Sequence, residues 1–468
     1  MRLAILFLLL PNLFLAGCRG NSPASAWETV YPQIEKRIHP PVFRRADYNI
    51  LDFGAVPDRD TVLNHPAINR AIERCSTEGG GRVIIPAGVW HTGPITLKSG
   101  VDLHLDERAV LLFTSDLQHY PLAETRWEGV ECYNYQPMIY ARGQKNIAIT
   151  GRGVIDGGAT VNDWWSMNGS PRYGWKEGIV SQKIGRPVLF DWNERRVPVE
   201  ERRLGDGYGM RTTLLNFYEC ENILVENVTL LRSPFWSFHP LLCRNVIVRG
   251  VHFENNGPNG DGCDPESCRD MLIEGCYFDT GDDCIAIKSG RNNDGRRWNV
   301  PSENIIIRNC IMRDGHGGVV IGSEISGGCR NLFVENCEMD SPQLQRVIRI
   351  KTSNCRGGVT ENVYIRNVHA GTCVEAVLKI NLVYEPGEQC AAKADPIVRN
   401  IFLENVTCEK SRYGVMVTAL ENSANVSDIH LTGCRFNGIE RGNFLSGQAR
   451  DIRFSDTFIN GIQCTELP

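Results

Sequence analysis

The stretch ENIIIRNCIM, residues 303–312, recurs in altered form through most of the chain. Each copy has a polar residue, then Asn or Asp, then alternating apolar residues, then Asn or Gly, and then Val or Cys. Copies begin at residues 221, 244, 269, 303, 330, 361, 399, 427 and 450, with a weaker copy at 145. A constant motif at a variable spacing predicts one coil per repeat, with insertions in the loops.

The fold class follows from what a single repeat can bury. Each motif is too short to bury its apolar face alone, so neighbouring coils must stack in parallel, about 4.8 Å apart. The sequence therefore predicts an all-β chain folded as a parallel β-helix. A leucine-rich horseshoe is disfavoured because its leucine spacing is missing.

Two segments depart from the repeat. From Pro66 onward, the apolar residues of 67–75 fall on one helical face, and the glycines of 78–82 end the pattern. We expect this N-terminal helix to cover the open end of the β-helix, and no further long helical pattern follows. Residues 157–210 are rich in Trp, Tyr, Arg and Gly, and are expected to form a functional loop or a lateral packing flap.

The N-terminus has the pattern of a targeting segment. Arg2 precedes an apolar run over residues 3–14, too short to span a membrane, and LAGC follows at 15–18. Small residues before a Cys resemble a bacterial lipobox, which predicts a signal peptide over 1–18 and lipidation of Cys18. An ordinary signal with an accidental Cys is the alternative. Residues 19–46 are then a tether, and 47–468 a single parallel β-helix domain with a loop insertion around 157–210. The chain is expected to be an exported bacterial lipoprotein, anchored to a membrane on its periplasmic or cell-surface side.

Charge and cysteine content narrow the possible partners and the compartment. The net charge of −5 argues against nucleic acid or an anionic membrane surface as a partner. Eighteen cysteines in an exported chain would suggest disulfides. Several of them, however, recur at one repeat position, namely Cys276, Cys310, Cys337 and Cys434. That recurrence favours buried, stacked thiols, so few disulfides are predicted and no pairing is assigned.

Four short segments carry the reactive residues. They are NGDGCD at 259–264, GDDCIAIKSG at 281–290, GHGGVVIGSE at 315–324 and RIK at 349–351. Asp282 follows Asp270 at the same offset as His316 follows Asn304, and Asp270 and Asn304 hold the same position in successive motifs. Asp282 and His316 should therefore lie on one face, one coil apart. Asp261 precedes Asp282 by about one coil.

The two cations of the last segment complete a ladder of reactive groups. Arg349 and Lys351 are two apart on a strand, so they share a face one coil further along. Asp264 and Lys288 are candidate supporting charge partners.

Such a ladder can perform acid/base chemistry. Carboxylates one coil apart repel each other, so the pKa of one rises and that residue can act as general acid while the others activate water. Asp282 and Asp283 are adjacent, and both can line the site only if the chain bends there. Structural or calcium-binding Asp turns are the alternatives. Four segments at matching offsets disfavour them.

These segments resemble the signature of the polygalacturonase family, glycoside hydrolase family 28, which has Asn-x-Asp, Gly-Asp-Asp, Gly-His-Gly and Arg-Ile-Lys in this order. DFGAV at 52–56 and RWEGVECYNY at 126–135 extend the resemblance, which covers most of residues 48–468. Gly260 is a small departure, because the family often has Thr there. The resemblance implies a right-handed parallel β-helix of the pectin-lyase-like kind.

The resemblance also implies the catalytic roles. Asp282 is the general acid that protonates the departing glycosidic oxygen, and His316 supports its protonation and binds sugar. Asp261 and Asp283 hold and deprotonate the attacking water. The family inverts the anomeric centre, which requires about 6.5–9.5 Å between acid and base.

Substrate contacts are implied in the same way. Arg349 and Lys351 clamp a galacturonate carboxylate, and Asn259 and Tyr384 are further substrate-binding residues. No metal or organic cofactor is implied. The expected partner is a pectic polysaccharide or oligogalacturonide, bound by a monomer.

The implied reaction is hydrolysis of α-1,4-linked galacturonic acid bonds in pectin. GSEISGG at 322–328 and the aromatic insertion resemble the bacterial, exo-acting branch, in which large loops close one end of the groove. A rhamnogalacturonan-directed galacturonosidase of the same family is the nearest alternative. A polysaccharide lyase or epimerase, or a non-catalytic glycan-binding β-solenoid, is a more distant one.

Overall fold

The computed structural model describes residues 23–467, and most of its strands stack into three long faces. Face A is a sheet of 13 strands, all paired in parallel, and it contains the recurring motif. Its strands are Asp47–Asn49, Gly81–Ile85, Val101–Leu105, Lys145–Gly151, Glu221–Glu226, Arg244–Arg249, Arg269–Glu274, Ser302–Arg308, Cys329–Glu335, Val359–Arg366, Ile397–Glu404, Val426–Thr432 and Ala449–Ser455.

Face B consists of a 7-stranded and a 5-stranded sheet, joined through single bridges of Glu338 to Ile311 and to His369. Its strands are Gly88–Thr92, Ala109–Phe113, Val154–Asp156, Thr229–Leu231, His252–Asn255, Tyr277–Thr280, Ile311–Asp314, His369–Thr372, Thr407–Lys410, Arg435–Phe436, Phe458–Ile459 and Ile462–Gln463.

Face C consists of a 4-stranded and a 6-stranded sheet, joined only through single bridges made by Cys263 and Glu266 within the described chain. Its strands are Ile95–Thr96, Ile139–Arg142, Leu215–Tyr218, Phe238–Leu241, Ile285–Ile287, Val319–Ile321, Arg346–Lys351, Ala376–Asn381, Tyr413–Thr418 and Phe444–Ser446. The predicted right-handed parallel β-helix is confirmed.

The motif repeats Asn for a conformational reason. Its second residue is left-handed, with φ of 53° at Asn245 and 59° at Asn304, a region that Asn tolerates better than most residues. Asn331 donates a side-chain hydrogen bond to Asn304 at 3.0 Å, and Asn304 donates one to Asp270 at 3.1 Å. The Asn or Gly five residues later is also left-handed, as at Asn336 with φ 53°. Each copy therefore contains two left-handed residues at which the chain turns. The Asn side chains of successive copies form a ladder of hydrogen-bonded amides.

The cysteine prediction is also confirmed. The four recurring cysteines are buried inside the coils and have no disulfide. Within residues 23–467 one disulfide is present, between Cys355 and Cys390. The thiols therefore behave as small apolar side chains of the core.

The N-terminal covering helix occurs as predicted. It spans His65–Thr77, and its apolar face is fully buried against strands Gly81–Ile85 and Val101–Leu105. The prediction of a free tether over 19–46 is wrong for residues 26–37. They form a π-helical turn, Ala26–Val30, and helix Tyr31–Arg37, whose apolar side chains pack on the outer surface of face A.

An antiparallel hairpin, Leu122–Trp127 with Val130–Tyr135, stands beside face C. The insertion packs against it and contains a helix, Gln182–Glu194, so the expectation of no further long helix is wrong. Gly185 and Pro187 lower the helix propensity of this segment, so its sequence does not predict a helix. Burial of residues such as Leu189 stabilises the helix in the folded chain.

The remaining helical segments are short. They are Pro23–Ser25, Ile50–Phe53, Leu117–His119, Trp164–Asn168, Pro171–Tyr173, Val199–Glu201 and Asn292–Trp298. Among the described residues, no helix has the length and apolar character to span a membrane. The signal peptide and Cys18 lie outside the described residues.

Candidate active site

A polar cavity of about 390 Å³ opens on face C, where single bridges replace the continuous pairing of the strands. Seven of the predicted site residues line it: Asn259, Asp261, Asp282, His316, Arg349, Lys351 and Tyr384. A larger cavity, of about 620 Å³, is lined by none of the predicted site residues in the described chain. The four sequence segments therefore meet at one place.

The register of face C explains why they meet. Cys263 bridges to Ile285, Ile285 pairs with Val319, and Val320 pairs with Arg349. The four segments thus occupy successive coils, as the equal offsets predicted. The backbone N–H of His316 donates to the carbonyl of Asp282 at 2.9 Å, which fixes these two residues side by side.

The three catalytic candidates form a compact cluster of carboxylates. Asp261, Asp282 and Asp283 each place an oxygen within 4.8 Å of the others. The backbone N–H of Asp283 donates to Asp282 Oδ1 at 3.0 Å, and strand Ile285–Ile287 begins only after this bend. The chain bends at this point as predicted, but Asp282 lines the cavity and Asp283 does not. The nearest oxygens of the three side chains are closer than the roughly 6.5–9.5 Å expected between acid and base in an inverting enzyme.

Asp282 and His316 form an ion pair at the mouth of the cavity. His316 Nδ1 lies 2.9 Å from Asp282 Oδ1, and the Asp282 side chain is 20% exposed. Burial raises the pKa of Asp282, but the hydrogen bond and charge of His316 outweigh it and lower the pKa to about 2. The hydrogen bond from Asp282 raises the pKa of His316 in return. The pair therefore holds one proton over a wide pH range.

Asp261 has the opposite electrostatic environment. Burial and the charges of Asp264 and Asp282 raise its pKa well above the usual value. Burial also raises the pKa of Asp264, although Lys288 Nζ is 3.5 Å away. In the unliganded site, burial and repulsion thus favour the protonated form of Asp261, while the resemblance assigns the acid role to Asp282. Glu324, 3.2 Å from Lys288, completes the buried charge set.

The predicted cationic pair is already engaged with a carboxylate. Lys351 Nζ lies 2.7 Å from Asp283 Oδ2, and Arg349 Nη1 lies 3.6 Å from Asp283 Oδ1. Burial lowers the pKa of Lys351, but the charge of Asp283 outweighs it and raises the pKa. The Tyr384 ring centroid is 5.6 Å from the Arg349 guanidinium and 5.5 Å from Lys351 Nζ. Asn259 accepts a hydrogen bond from Arg211 at 2.6 Å.

Two glycines permit this close packing. A Cβ on Gly260 would lie 2.2 Å from the carbonyl oxygen of Asn255, so Gly at this position follows from local space. Gly315 has φ of 151°, and a Cβ there would lie 2.6 Å from the carbonyl oxygen of Asp282.

Sequence reasoning missed several residues of the cavity. Glu128 comes from the hairpin turn, Arg186 from the insertion helix, and Trp236 from the segment before strand Phe238–Leu241. Arg346 and Glu385 also line it. None of them belongs to the four segments, although Glu128 lies in the stretch 126–135 and Arg186 in the insertion, the two other regions that the sequence singled out. Lys288 Nζ lies 4.4 Å from the Trp236 ring centroid.

The fold and the site together define a β-helix enzyme of the acid/base type that acts on carbohydrate. Residues 207–462 match the model of glycosyl hydrolases family 28, and the chain belongs to this family. It is therefore a glycoside hydrolase.

Known relatives and solved structures agree with this assignment. An exopolygalacturonase structure from Thermotoga maritima is 40% identical, with a TM-score of 0.89, and the match covers 94% of this chain and 99% of that one. A probable polygalacturonase of Vitis vinifera is 27% identical over 96% of this chain and 84% of its own length. An exo-poly-α-D-galacturonosidase of Dickeya chrysanthemi is 27% identical over 78% of this chain and 62% of its own.

Proposed function

We propose that this glycoside hydrolase is an exo-acting polygalacturonase, which cleaves α-1,4-linked galacturonic acid bonds in pectin. One observation carries the proposal: Asp261 and Asp282 line one cavity with His316, Arg349 and Lys351, and the buried Asp283 has an oxygen within 4.8 Å of both carboxylates. The carboxylates supply acid and base, and the two cations supply a binding site for the carboxylate of the sugar. The similarity to polygalacturonases supports the same substrate class.

Asp282 is the proposed general acid because its proton can come from His316. Asp282 is 20% exposed, whereas Asp283 is fully buried beside Lys351. A bound sugar excludes water from the Asp282 carboxylate, which raises the pKa of Asp282 and favours transfer of the proton from His316 Nδ1 to Asp282 Oδ1. The acid then delivers that proton to the departing oxygen as the glycosidic bond breaks.

Asp261 and Asp283 hold the attacking water. Since their oxygens lie within 4.8 Å of one another, one water molecule can donate a hydrogen bond of about 2.8 Å to each of them. Attack from the face opposite the leaving group inverts the anomeric centre. Proton NMR of the first product tests this step: an α-linked substrate should release the β anomer, and initial release of the α anomer would contradict inversion.

The exo mode is supported by the insertion and the hairpin, which both reach the cavity. A digestion time course on polygalacturonate tests it. Immediate release of monogalacturonate with slow loss of viscosity is expected, and a rapid fall in viscosity before monomer appears would exclude exo action. Oligosaccharides of defined linkage separate homogalacturonan from rhamnogalacturonan ending in galacturonate, which offers the same carboxylate to Arg349 and Lys351.

A metal-dependent lyase or epimerase is the main alternative, since three clustered carboxylates can also hold a cation. The ammonium of Lys351 already occupies one oxygen of Asp283, which favours hydrolysis. Activity that persists in chelator without an unsaturated, ultraviolet-absorbing product is expected. Loss of activity in chelator, or an unsaturated product, would overturn the proposal. A glycan-binding solenoid predicts no turnover at all.

We further propose that the enzyme is a monomeric, exported bacterial lipoprotein anchored through Cys18. The Cys355–Cys390 disulfide supports an oxidising compartment. Labelling of cells with a radioactive fatty acid tests the anchor. The wild-type chain should incorporate label and partition into detergent, and Cys18→Ala should do neither. Equal labelling of both chains would contradict lipidation at Cys18.

A further inference from the structure

The active-site cavity is separated from a second cavity by a thin partition. The second cavity has a volume of about 420 Å³, and the two share the lining residues Arg186 and Glu385. Beyond the partition, most of the exposed lining surface is apolar and includes Pro187, Phe190 and Pro386, although Glu194 and Glu388 also line it. The two cavities are therefore neighbours along one depression, and this pair of side chains lies between them.

Side-chain contacts join three distant parts of the chain at the partition. Arg186 Nη2 donates to Glu385 Oε1 at 3.3 Å, and Arg186 Nε donates to Glu128 Oε2 at 2.8 Å. Glu128 belongs to the hairpin turn, Arg186 to helix Gln182–Glu194, and Glu385 follows Tyr384. The Arg186 guanidinium also lies 4.6 Å from the Phe190 ring centroid.

The partition is anchored more firmly on one side than on the other. Glu385 is held by Arg291 Nη2 at 3.1 Å and by Arg356 Nη2 at 2.8 Å, and both of these arginine side chains are nearly fully buried. The Cys355–Cys390 disulfide closes the same segment. The exposures of the two side chains are similar, at 35% for Arg186 and 31% for Glu385, but no buried cation or disulfide holds Arg186 in the described chain. Glu385 is thus held in place by buried cations, whereas Arg186 can be substituted without disturbing the core.

We propose that the Arg186–Glu385 contact is the partition that ends the substrate groove and sets how many sugar units are held beyond the cleaved bond. The inference rests on the proposed exo-polygalacturonase function and names the contact that limits product length. Without this contact, the second cavity becomes a further subsite, in which the Phe190 ring and the two prolines offer an apolar surface to a sugar face.

Product length tests the proposal. Arg186→Met removes the guanidinium that contacts Glu385 and the Phe190 ring but keeps an unbranched side chain, and Glu385→Gln weakens the contact from the other side. In initial digests of polygalacturonate, wild type should release monogalacturonate. Each variant should raise the ratio of digalacturonate to monogalacturonate by roughly tenfold or more, because an added subsite changes discrimination by about this factor. Unchanged product ratios in active variants would overturn the proposal.

Arg195→Met is the matched control. Arg195 follows the same helix, pairs with Asp191 on the surface, and lines neither cavity. Its product ratio should equal that of the wild type, and an equal shift in the control would also overturn the proposal.

A binding measurement separates this proposal from the proposed function. In an Asp282→Asn background, calorimetry with galacturonate oligomers of increasing length needs no turnover. Adding Arg186→Met should strengthen binding of the longer oligomers roughly tenfold relative to the monomer. Failure of the wild type to hydrolyse galacturonan would reject the proposed function, whereas active enzymes without any length effect reject the partition alone.

Discussion

Face A and face C use the same coil spacing with opposite electrostatic consequences. In face A, Asn331 donates to Asn304 at 3.0 Å, and each neutral amide satisfies the next. In face C, Asp261 and Asp282 occupy neighbouring coils. Burial is the largest cause of the raised pKa of Asp261, and repulsion from Asp282 adds to it. An amide ladder stabilises itself because an amide both donates and accepts. A ladder of carboxylates needs cations, and this need creates a reactive site.

The cations come from the following coils. Lys351 lies two coils after Asp283 and neutralises its charge. Lys288 lies one coil after Asp264 and neutralises the charge of that carboxylate. His316 shares its proton with Asp282. Groups that would be unstable together in a uniform ladder are therefore held by a rigid scaffold whose stability comes from face A and the core. Single substitutions can perturb either the carboxylate cluster of face C or the amide ladder of face A.

The largest effect is expected for Asp282→Asn. The amide cannot deliver a proton to the leaving oxygen, so kcat should fall by about 10²–10⁴-fold while substrate binding survives. Steady-state kinetics on polygalacturonate and calorimetry with an oligomer measure both quantities. Asp279→Asn is the control, since Asp279 precedes the segment and lies outside the cavity lining. If Asp282→Asn kept the kcat of the wild type, Asp282 could not be the general acid.

A smaller but still large loss is expected for Lys351→Met. The change removes a cation from the substrate and leaves the buried Asp283 without its nearest partner, 2.7 Å away. Loss of one member of such a pair costs about 2–5 kcal/mol, so kcat/KM should fall roughly 10²-fold or more, with a lower Tm.

Lys379→Met provides the comparison for Lys351. Lys379 pairs with Arg349 in the strand register, binds Glu375 at 2.7 Å and lines no part of the cavity. Its kcat/KM should stay close to that of the wild type. Equal losses in the two variants would indicate a general effect of charge on face C.

A shift in pH dependence is expected for His316→Gln. The pKa of His316 is raised by Asp282, so the pair keeps its proton until the pH rises through this raised value. If that proton is the one delivered, wild-type activity falls above it. Without the imidazole, Asp282 alone must hold the proton, and the alkaline limb should move to lower pH. The pH profile of kcat/KM measures this shift.

The same profile distinguishes the two candidate acids. If Asp261, whose pKa is raised by burial and by Asp264, were the acid, the alkaline limb should respond to Asp264→Asn and not to His316→Gln. An unchanged alkaline limb in His316→Gln would therefore transfer the acid role to Asp261.

The smallest effect on catalysis is expected in face A. Asn331→Ala removes one amide from the ladder and places Ala at φ 56°, which should lower the free energy of unfolding by about 2–3 kcal/mol and leave kcat unchanged. Asn331→Gly tolerates this φ and should lose less. Denaturant titration measures both variants. Equal losses for Ala and Gly would show that the conformation does not matter, and a fall in kcat would break the contrast between the faces.

Much of the site could be predicted because a repeat converts sequence spacing into position. Equal offsets from the motif placed Asp282 and His316 on one face, and the structure joins them at 2.9 Å. The tether was wrong over 26–37 because those residues bury aromatic side chains against face A, a partner far away in sequence. The helix with Pro187 was missed because local propensity disfavours it and tertiary packing stabilises it.

The sequence by itself determined the coil and the order of the reactive residues, because the motif sets a left-handed turn and a stacked strand in every repeat. Only the tertiary structure decided which carboxyl pKa values are raised and which are lowered, since these depend on burial and on charges from other coils, such as Lys288 and His316. It also decided where the groove ends, because Arg186 and Glu385 are far apart in the sequence and meet only through the fold.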